Sequence, residues 1–289
     1  KDVGSVVNRS SWGLVVFRFK KNKLAMVGMA VIIALVIASL AAPLYINYES
    51  VYTQSIKDRF MTPGQGGHIL GTDQFGRDLF ARIMYGGRIS LLAGLVTVGI
   101  GLAIGVLLGG MAGYFGGKVD NIIMRFCDVF MAVPRMLLSM AVVAALGQGT
   151  FNMIIALSIA SFPQFARVVR SSILSLRNQE FIEAAKCYGT SSMRIIFKHI
   201  IPNGLGPVIV IATISLGVTI LSIASLGFLG IGVAAPTPEW GTILAENRVN
   251  IRYYPHLGLV PGMFIVACVM CLNFMGDGLR DALDPRSKV

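Results

Sequence analysis

A short polar stretch in the middle of this apolar chain has the residue types of a docking helix. Residues 179–188 contain no Gly or Pro, and their Glu, Ala and Lys residues favour helix. Glu180 and Glu183 lie toward the N-terminal end, where the helix dipole stabilises acidic side chains. Gly189 is a good C-terminal stop. We therefore predict a short helix that ends at this glycine.

The side chains of this predicted helix suit contact with a second protein. Ala184 and Ala185 make part of its surface small, so that another backbone or a groove can approach closely. Phe181 and Ile182 are predicted to anchor the helix with its apolar side down. A short helix of this kind can sit in a complementary groove of a partner and transmit rigid-body motion. The alternative is an amphipathic surface helix that has no partner.

The residue types that usually perform catalysis are too scattered to form a catalytic site. Histidine occurs at three separate positions, which are His68, His199 and His256. Asp73 and Asp78 lie close to the first of these in sequence, but helix capping by Thr72 or Asp73 and loop packing explain them better than a metal does. We predict neither a catalytic residue nor a metal site in this chain.

Two further sequence patterns resemble functional motifs, but neither has the surroundings or the residues that the function needs. Cys268 and Cys271 have redox spacing but lie within an apolar run, where thiols behave as small hydrophobic groups. Residues 112–119 approach a phosphate-binding loop, yet Ala112 replaces its first glycine and Val119 replaces the Ser or Thr that holds magnesium. The chain is therefore predicted to bind no cofactor, and ATP with Mg would have to act on a partner subunit.

The composition indicates an integral membrane protein. The 289-residue chain is 55% hydrophobic and 13% charged, with a mean hydropathy of +0.72. A soluble domain has about 25% charged residues. The net charge of +11 comes from basic residues at the ends of apolar runs, not from a basic face interleaved with aromatic residues. A lipid bilayer, not a nucleic acid, is the predicted partner.

The predicted fold class is all-α, with about six transmembrane helices. The apolar runs long enough to cross a bilayer are 24–46, 89–113, 121–146, 151–169, 205–232 and 256–276, and Pro163 is predicted to interrupt the fourth. Residues 1–23 are predicted to form an amphipathic helix on the membrane surface. The segment 47–88 has no predicted span, and 277–289 form a tail.

The charges predict the orientation of the five-helix core, residues 89–276. This core contains a polar loop at 177–203 and a second aqueous loop at 234–255. With both termini and the 177–203 loop in the cytoplasm, the inside segments hold sixteen Lys and Arg and the outside segments hold seven. This excess follows the positive-inside rule.

Two features within the apolar runs are predicted to shape the helix bundle. Glycines recur at a four-residue interval, which predicts close helix packing, or alternatively a conduit or hinge surface, at Gly101, Gly105, Gly109 and Gly113. Arg135 follows Pro134 about a third of the way along the third run. An arginine exposed to lipid costs a few kcal/mol, so we expect Arg135 to face the protein interior or a water-filled cavity.

The central parts of the six apolar runs contain no Asp or Glu. Proton-coupled and many ion-coupled transporters need an ionisable relay near the middle of the membrane. If the protein moves a solute uphill, we therefore expect the energy to come from a partner. A secondary transporter or a passive channel subunit is the alternative function.

Four motifs resemble those of ATP-binding-cassette importer permeases. Glu-Ala-Ala-x3-Gly at 183–189, followed by His-Ile-Ile-Pro at 199–202, closely resembles the cytoplasmic loop signature of that superfamily. The stretches 71–78, 225–232 and 236–241 resemble the second, C-type permease subunit of the dipeptide/oligopeptide/nickel subfamily. His199 stands where the general pattern has a branched apolar residue, but histidine is familiar there in this subfamily.

The resemblance implies a type I importer half-channel in the bacterial inner membrane. Its partners would be a homologous permease subunit, two cytoplasmic ATP-binding subunits and an extracytoplasmic solute-binding protein. By position, the ATPase contact would be carried by Glu183, Ala184, Ala185 and Gly189 within the coupling helix 180–189. The segments 47–88 and 234–255 would face the binding protein. Peptides are the leading solute class, followed by nickel chelates and glutathione-like compounds.

Overall fold

The structure, a computed structural model, describes residues 11–284. The described helices are α1 (Ser11–Lys21), α2 (Lys23–Tyr45), α3 (Glu49–Tyr52), α4 (Leu79–Phe115), α5 (Gly117–Met131), α6 (Arg135–Leu146), α7 (Thr150–Leu176), α8 (Glu180–Cys187), α9 (Ser192–Arg194), α10 (Ile201–Asn203), α11 (Leu205–Phe228), α12 (Trp240–Asn247) and α13 (His256–Leu283). A 3-10 turn covers Ile56–Asp58 and a π-helix covers Ile195–Ile200. Residues 1–10 of the predicted amphipathic segment and 285–289 of the predicted tail lie outside the described residues.

The all-α membrane fold with about six transmembrane helices is confirmed. Among the described residues, five helices are long and apolar enough to cross a membrane, namely α2, α4, α7, α11 and α13. The pair α5 and α6 is also long and apolar enough when taken together, but its halves meet at an angle of 84°, as in a broken sixth span or a re-entrant loop. Pro134 lies at this break, where a proline lacks the amide hydrogen that helix continuation needs and restricts the residue before it.

The connections between the spans gather at two opposite ends of the bundle. We call the end that holds residues 46–78 and 229–255 the cap end. These two segments meet there, since Gln74 and Arg77 contact Glu246. We call the end with residues 177–204 the loop end. The helix α1 also lies at the loop end, since Phe19 packs with Ala25 and Ala282.

Several helix boundaries differ from the predicted apolar runs. The helix α4 begins at Leu79, ten residues before the predicted run, because the Asp78 carboxylate caps it by accepting a hydrogen bond from the Ala81 amide at 2.7 Å. The expected cap at Thr72 or Asp73 was therefore wrong. The helix α7 is continuous through Pro163 and ends at Leu176. The predicted interruption at Pro163 was also wrong.

The four glycines of the predicted stripe face α7. A Cβ atom built on Gly101 would lie 2.6 Å from Ser161 Oγ, and one on Gly113 would lie 2.9 Å from Ile173 Cβ. At Gly105 and Gly109 the added atom would overlap the Cβ of Phe165 and the backbone of Ala166, respectively. All four glycines are buried, so α4 and α7 touch at a distance that only glycine permits.

We predict that Gly109→Ala destabilises the protein whereas Gly99→Ala does not. Both replacements add the same methyl group to α4, but the one at Gly109 meets the Ala166 backbone, while no atom lies within 4 Å of a Cβ at Gly99. Overpacking of this kind costs about 1–3 kcal/mol. Thermal unfolding in detergent measures the difference, and equal midpoints for the two variants would show that the glycine contact does not hold the helices together.

Candidate functional site

The predicted docking helix is present at the loop end as α8, and one residue anchors it. Ile182 is fully buried and packs in a cluster with Ile173, Ile195 and Ile200. Phe181, by contrast, is 40% exposed. The outward side of the helix carries Glu180, Glu183 and Ala184, whereas Ala185 is half-buried. The helix is thus attached through Ile182 and Ala185 and has an accessible surface of small, acidic and aromatic side chains.

The helix α8 ends at Cys187, and a glycine with a left-handed backbone follows it. Gly189 has φ +71°, a conformation that other residues adopt only at a cost of about 1 kcal/mol. The Thr190 amide donates to the Ala185 carbonyl oxygen at 3.1 Å, which closes the last turn. No atom lies within 4 Å of a Cβ built on Gly189. The space beside this glycine is therefore open in the chain alone.

The segment after α8 joins the docking helix to the spans. The helices α9 and α10 flank the π-helix Ile195–Ile200, so this part of the loop is helical almost without a break. Ile200 packs with Val169 of α7 and Val208 of α11 in the cluster that also holds Ile182. His199 is half-buried, and its carbonyl oxygen accepts a hydrogen bond from the Asn203 amide nitrogen at 2.6 Å. A displacement of α8 therefore acts on two spans through one apolar cluster.

Ion pairs fix the loop end of α7 to its neighbours. Arg170 donates two hydrogen bonds to the Asp120 carboxylate of α5, both at 2.5 Å. Arg167 pairs with Asp128 at 2.7 Å, but both side chains are more than half exposed, so this pair contributes little. Both arginines belong to α7, which extends seven residues beyond the predicted apolar run that ended at 169.

A buried network of two carboxylates and two guanidinium groups lies at the cap end. Asp73 Oδ2 accepts from Arg77 Nε at 2.6 Å and from Arg82 Nη1 at 2.9 Å. Glu246 Oε2 accepts from the same two arginines, at 3.1 Å and 2.5 Å. The side chains of Asp73, Arg77 and Arg82 are at most 2% exposed. We call these four residues the cap quartet, and their formal charges cancel.

The cap quartet joins two distant parts of the chain. Three of its members precede or begin α4, and Glu246 lies near the end of α12. Gln74 strengthens the link because its amide nitrogen donates to the Glu246 carbonyl oxygen at 2.8 Å and its amide oxygen accepts from Asn250 at 2.9 Å. Sequence reasoning missed this network, although the charged residues of the 71–78 motif were its available signal.

The helix α12 is also fixed by Glu239 and Trp240 of the 236–241 motif. Trp240 is fully buried and donates from its indole nitrogen to the Ile83 carbonyl oxygen at 3.0 Å. The Glu239 carboxylate caps α12 by accepting from the amides of Gly241 and Thr242, and it also accepts from Ser90 Oγ at 3.0 Å. Burial raises the pKa of the Glu239 carboxyl, and these hydrogen bonds oppose the rise. Both residues hold α12 against α4.

Arg135 lies at the break between α5 and α6, and it reaches α11. Its Nη2 atom donates to Thr219 Oγ1 at 3.1 Å, and Thr219 is fully buried. The guanidinium Nε is also buried and has no hydrogen-bond partner among the described residues. This arginine stands apart from the loop-end and cap-end features.

The histidine and carboxylate at the cap end form a pair without a metal cluster. His68 Nδ1 lies 2.6 Å from Asp78 Oδ2, and Asp78 also serves as the cap of α4. Within residues 11–284, no group of three or more His, Cys, Asp or Glu side chains is arranged to hold a metal ion. The pair therefore orders the loop before α4.

Two family patterns match the chain. The family described as "Binding-protein-dependent transport system inner membrane component" matches residues 105–289. The pattern described as "N-terminal TM domain of oligopeptide transport permease C" matches residues 10–63. The first covers more than half of the chain, including α5–α13.

Curated relatives are similar over nearly their whole length. The dipeptide transport system permease protein DppC of Alkalihalophilus pseudofirmus is 45% identical over 96% of this chain and 91% of that protein. The glutathione transport system permease protein GsiD of Escherichia coli O157:H7 is 43% identical over 97% and 92%, respectively. The oligopeptide transport system permease protein OppC of Bacillus subtilis is 38% identical over 96% and 90%.

A solved structure shares the fold. A chain from the inward facing conformations of the MetNI methionine ABC transporter aligns with a TM-score of 0.58 at 21% identity, covering 71% of this chain and 98% of that one. At this identity the likeness concerns the fold alone. The expected fold of a type I importer permease is thereby confirmed.

We predict that Glu246→Ala destabilises the protein and Glu49→Ala does not. The first variant leaves two buried arginines with one carboxylate, and breaking a buried ion pair costs about 3 kcal/mol or more. Glu49 is exposed near the same end of the bundle and provides a matched loss of one carboxylate. Denaturant unfolding in detergent gives both free energies, and equal values would mean that the cap quartet contributes no stability.

Proposed function

The chain belongs to the family of binding-protein-dependent transport system inner membrane components, and on that premise we propose how it imports its solute. It is the transmembrane subunit of an ATP-driven importer for peptides or related small solutes. A homologous permease subunit supplies the other half of the pathway. Two cytoplasmic ATP-binding subunits hold ATP and Mg, and an extracytoplasmic binding protein delivers the solute. This chain itself performs no catalysis.

The observation that carries this proposal is the construction of α8. Ile182 attaches it to the bundle, while Glu183, Ala184 and the open space beside Gly189 remain accessible. A helix that is packed on its apolar side and exposed on the other suits insertion into a groove of another protein. We assign this accessible surface, residues 180–189, as the contact with the ATP-binding subunit.

The residues packed around Ile182 indicate how a displacement of α8 would reach the membrane-spanning helices. The same cluster contains Ile173 of α7, Ile200 of the loop and Val208 of α11. Closure of the ATP-binding subunits draws α8 toward its counterpart, and the cluster transmits that displacement to α7 and α11. The pathway then opens at the cap end, and hydrolysis returns it toward the loop end.

The orientation of the chain follows the same assignment. The loop end and both termini lie in the cytoplasm of a bacterial cell, and the cap end faces the binding protein across the inner membrane. The excess of Lys and Arg in the loop-end segments supports this arrangement. The cap quartet and the buried Trp240 hold α12 firmly against α4, so the cap end offers a fixed surface for docking.

The solute class is proposed from chemistry that the relatives share. The names of three relatives refer to dipeptides, glutathione and oligopeptides. These solutes are small, contain peptide-type amide bonds and carry a free carboxylate. We therefore assign peptides, with glutathione-like compounds as the neighbouring class, and leave selection among side chains to the binding protein.

We predict that Gly189→Leu uncouples the importer and that Gly189→Ala is the matched control. Both variants place a side chain on the same left-handed backbone, so both include a strain of about 1 kcal/mol. Only leucine fills the space beside α8 that a partner groove needs. ATPase activity of the purified complex, stimulated by the loaded binding protein, is expected to fall about tenfold in the leucine variant and less than twofold in the alanine variant.

The opposite result is equally informative. If the leucine variant keeps full stimulated activity and still copurifies with its ATP-binding subunits, residues 180–189 do not form the contact. Loss of copurification in the leucine variant alone supports it. Equal loss in both variants would place the cause in the backbone strain and not in the groove.

We predict that transport by the assembled complex requires ATP on the loop-end side of the membrane and binding protein on the cap-end side. Vesicles that contain all subunits and enclosed ATP should accumulate dialanine only when binding protein is present outside. Vesicles without ATP, with the same binding protein, provide the control. Uptake that continues without ATP, driven by an ion gradient, would favour a secondary transporter instead.

A further inference from the structure

Arg135 is a basic residue deep in the bundle, and its neighbours define its depth. It contacts Thr219, which lies fourteen residues from the start of α11 at Leu205 and nine from its end at Phe228. At a rise of 1.5 Å per residue, Thr219 is about 21 Å from one end of that span and about 13 Å from the other. The Arg135 guanidinium is therefore held within the span and not at a membrane surface.

This cation has no anionic partner within the part of the chain that the structure describes. The nearest carboxylate in sequence, Asp128, pairs with Arg167. The guanidinium carries five N–H donors, of which Nη2 is bonded to Thr219 and the buried Nε is unsatisfied. A charge in such a place costs several kcal/mol unless another group satisfies it, and intramembrane arginines typically mark a functional pathway.

Several residues next to Arg135 and Thr219 in the chain are exposed. They are Val133, Pro134 and Leu137 on the bent pair and Val218 on α11. The chain's own helices thus leave this face uncovered. In an importer made of two permease halves, a face that joins a broken span to α11 can line the pathway between them.

We propose that Arg135 and Thr219 form a carboxylate-binding site in the translocation pathway, where the guanidinium receives the C-terminal carboxylate of the passing peptide. This inference rests on the proposed function and adds the chemical group of the cargo that the pathway recognises. A guanidinium binds a carboxylate through two parallel N–H donors, and Arg135 has donors beyond the one that Thr219 occupies. Thr219 fixes the arginine by occupying a third donor.

The site also accounts for tolerance toward peptide side chains. The surrounding exposed residues Val133, Pro134, Leu137 and Val218 are apolar and provide no further directional contacts. A single charged contact holds the C-terminal carboxylate that every peptide has, and it does not distinguish between peptide side chains. Such a site neutralises the cargo carboxylate during passage through an otherwise apolar bundle.

The test compares two cargoes in variants of the complete importer, which is reconstituted in vesicles with its binding protein. The cargoes are dialanine, which has a free carboxylate, and dialaninamide, which has none, each loaded to saturation on the binding protein. Arg135→Gln should lower dialanine uptake about tenfold, as expected for loss of a hydrogen bond to a charged group. Uptake of dialaninamide should change less than twofold. Arg135→Lys should keep most of the preference for the free acid.

Matched controls separate this role from a structural one. Arg125→Gln makes the same change of charge in the other half of the bent pair, at an exposed residue, and should leave both cargoes unaffected. Thr219→Val should weaken the preference for the free acid without abolishing uptake. Copurification of the Arg135→Gln variant with its ATP-binding subunits should match that of the wild type, since the bundle still folds and assembles.

Three outcomes would overturn the inference. They are unchanged dialanine uptake in Arg135→Gln, an equal loss for dialanine and dialaninamide, and a structure of the complex in which a carboxylate of the partner permease pairs with Arg135. If the wild type itself shows no uptake that depends on the binding protein, the proposed function fails and the inference fails with it. If the wild type takes up dialanine with the binding protein and the Arg135→Gln variant takes it up equally well, the inference fails and the proposed function stands.

Discussion

The close contact between α4 and α7 is the constraint on which the rest of the structure depends. Four glycines let the two helices touch along most of their shared length. The first turns of α4 carry Arg82 of the cap quartet, and the last turns of α7 carry Ile173 of the cluster that anchors α8. One tightly packed pair thus connects the cap quartet at one end of the bundle to the cluster around α8 at the other. A wider separation would leave each end attached to a helix that could shift independently.

The arginines within the bundle differ in the partners that they have. At the two ends, arginines are satisfied by carboxylates, as in the cap quartet and in the pair of Arg170 with Asp120. In the span, Arg135 has only a threonine hydroxyl among its described partners. Charges that hold the fold together are therefore neutralised within the chain. The charge of Arg135 is left for the cargo carboxylate that we propose binds there.

The sequence predicted those features that depend on local spacing. Apolar run length identified the spans, the four-residue glycine interval pointed to one helix face, and Gly189 marked the end of α8. Features that depend on distant partners were missed. Arg82 and Glu246 are 164 residues apart, so no periodicity connects them. Asp78 was not recognised as the cap of α4, because Thr72 and Asp73 have equally suitable side chains and only the fold decides between them.

The enclosure of the cap quartet determines how the cap end responds to dissolved salt. Mobile ions weaken an exposed pair such as Arg167 and Asp128, which both solvent and electrolyte can reach. They have little access to Arg77 and Arg82, whose side chains are at most 2% exposed. The clamp between α4 and α12 consequently keeps its strength across dilute and concentrated surroundings. The cap end of the bundle thereby keeps the same geometry at low and high ionic strength.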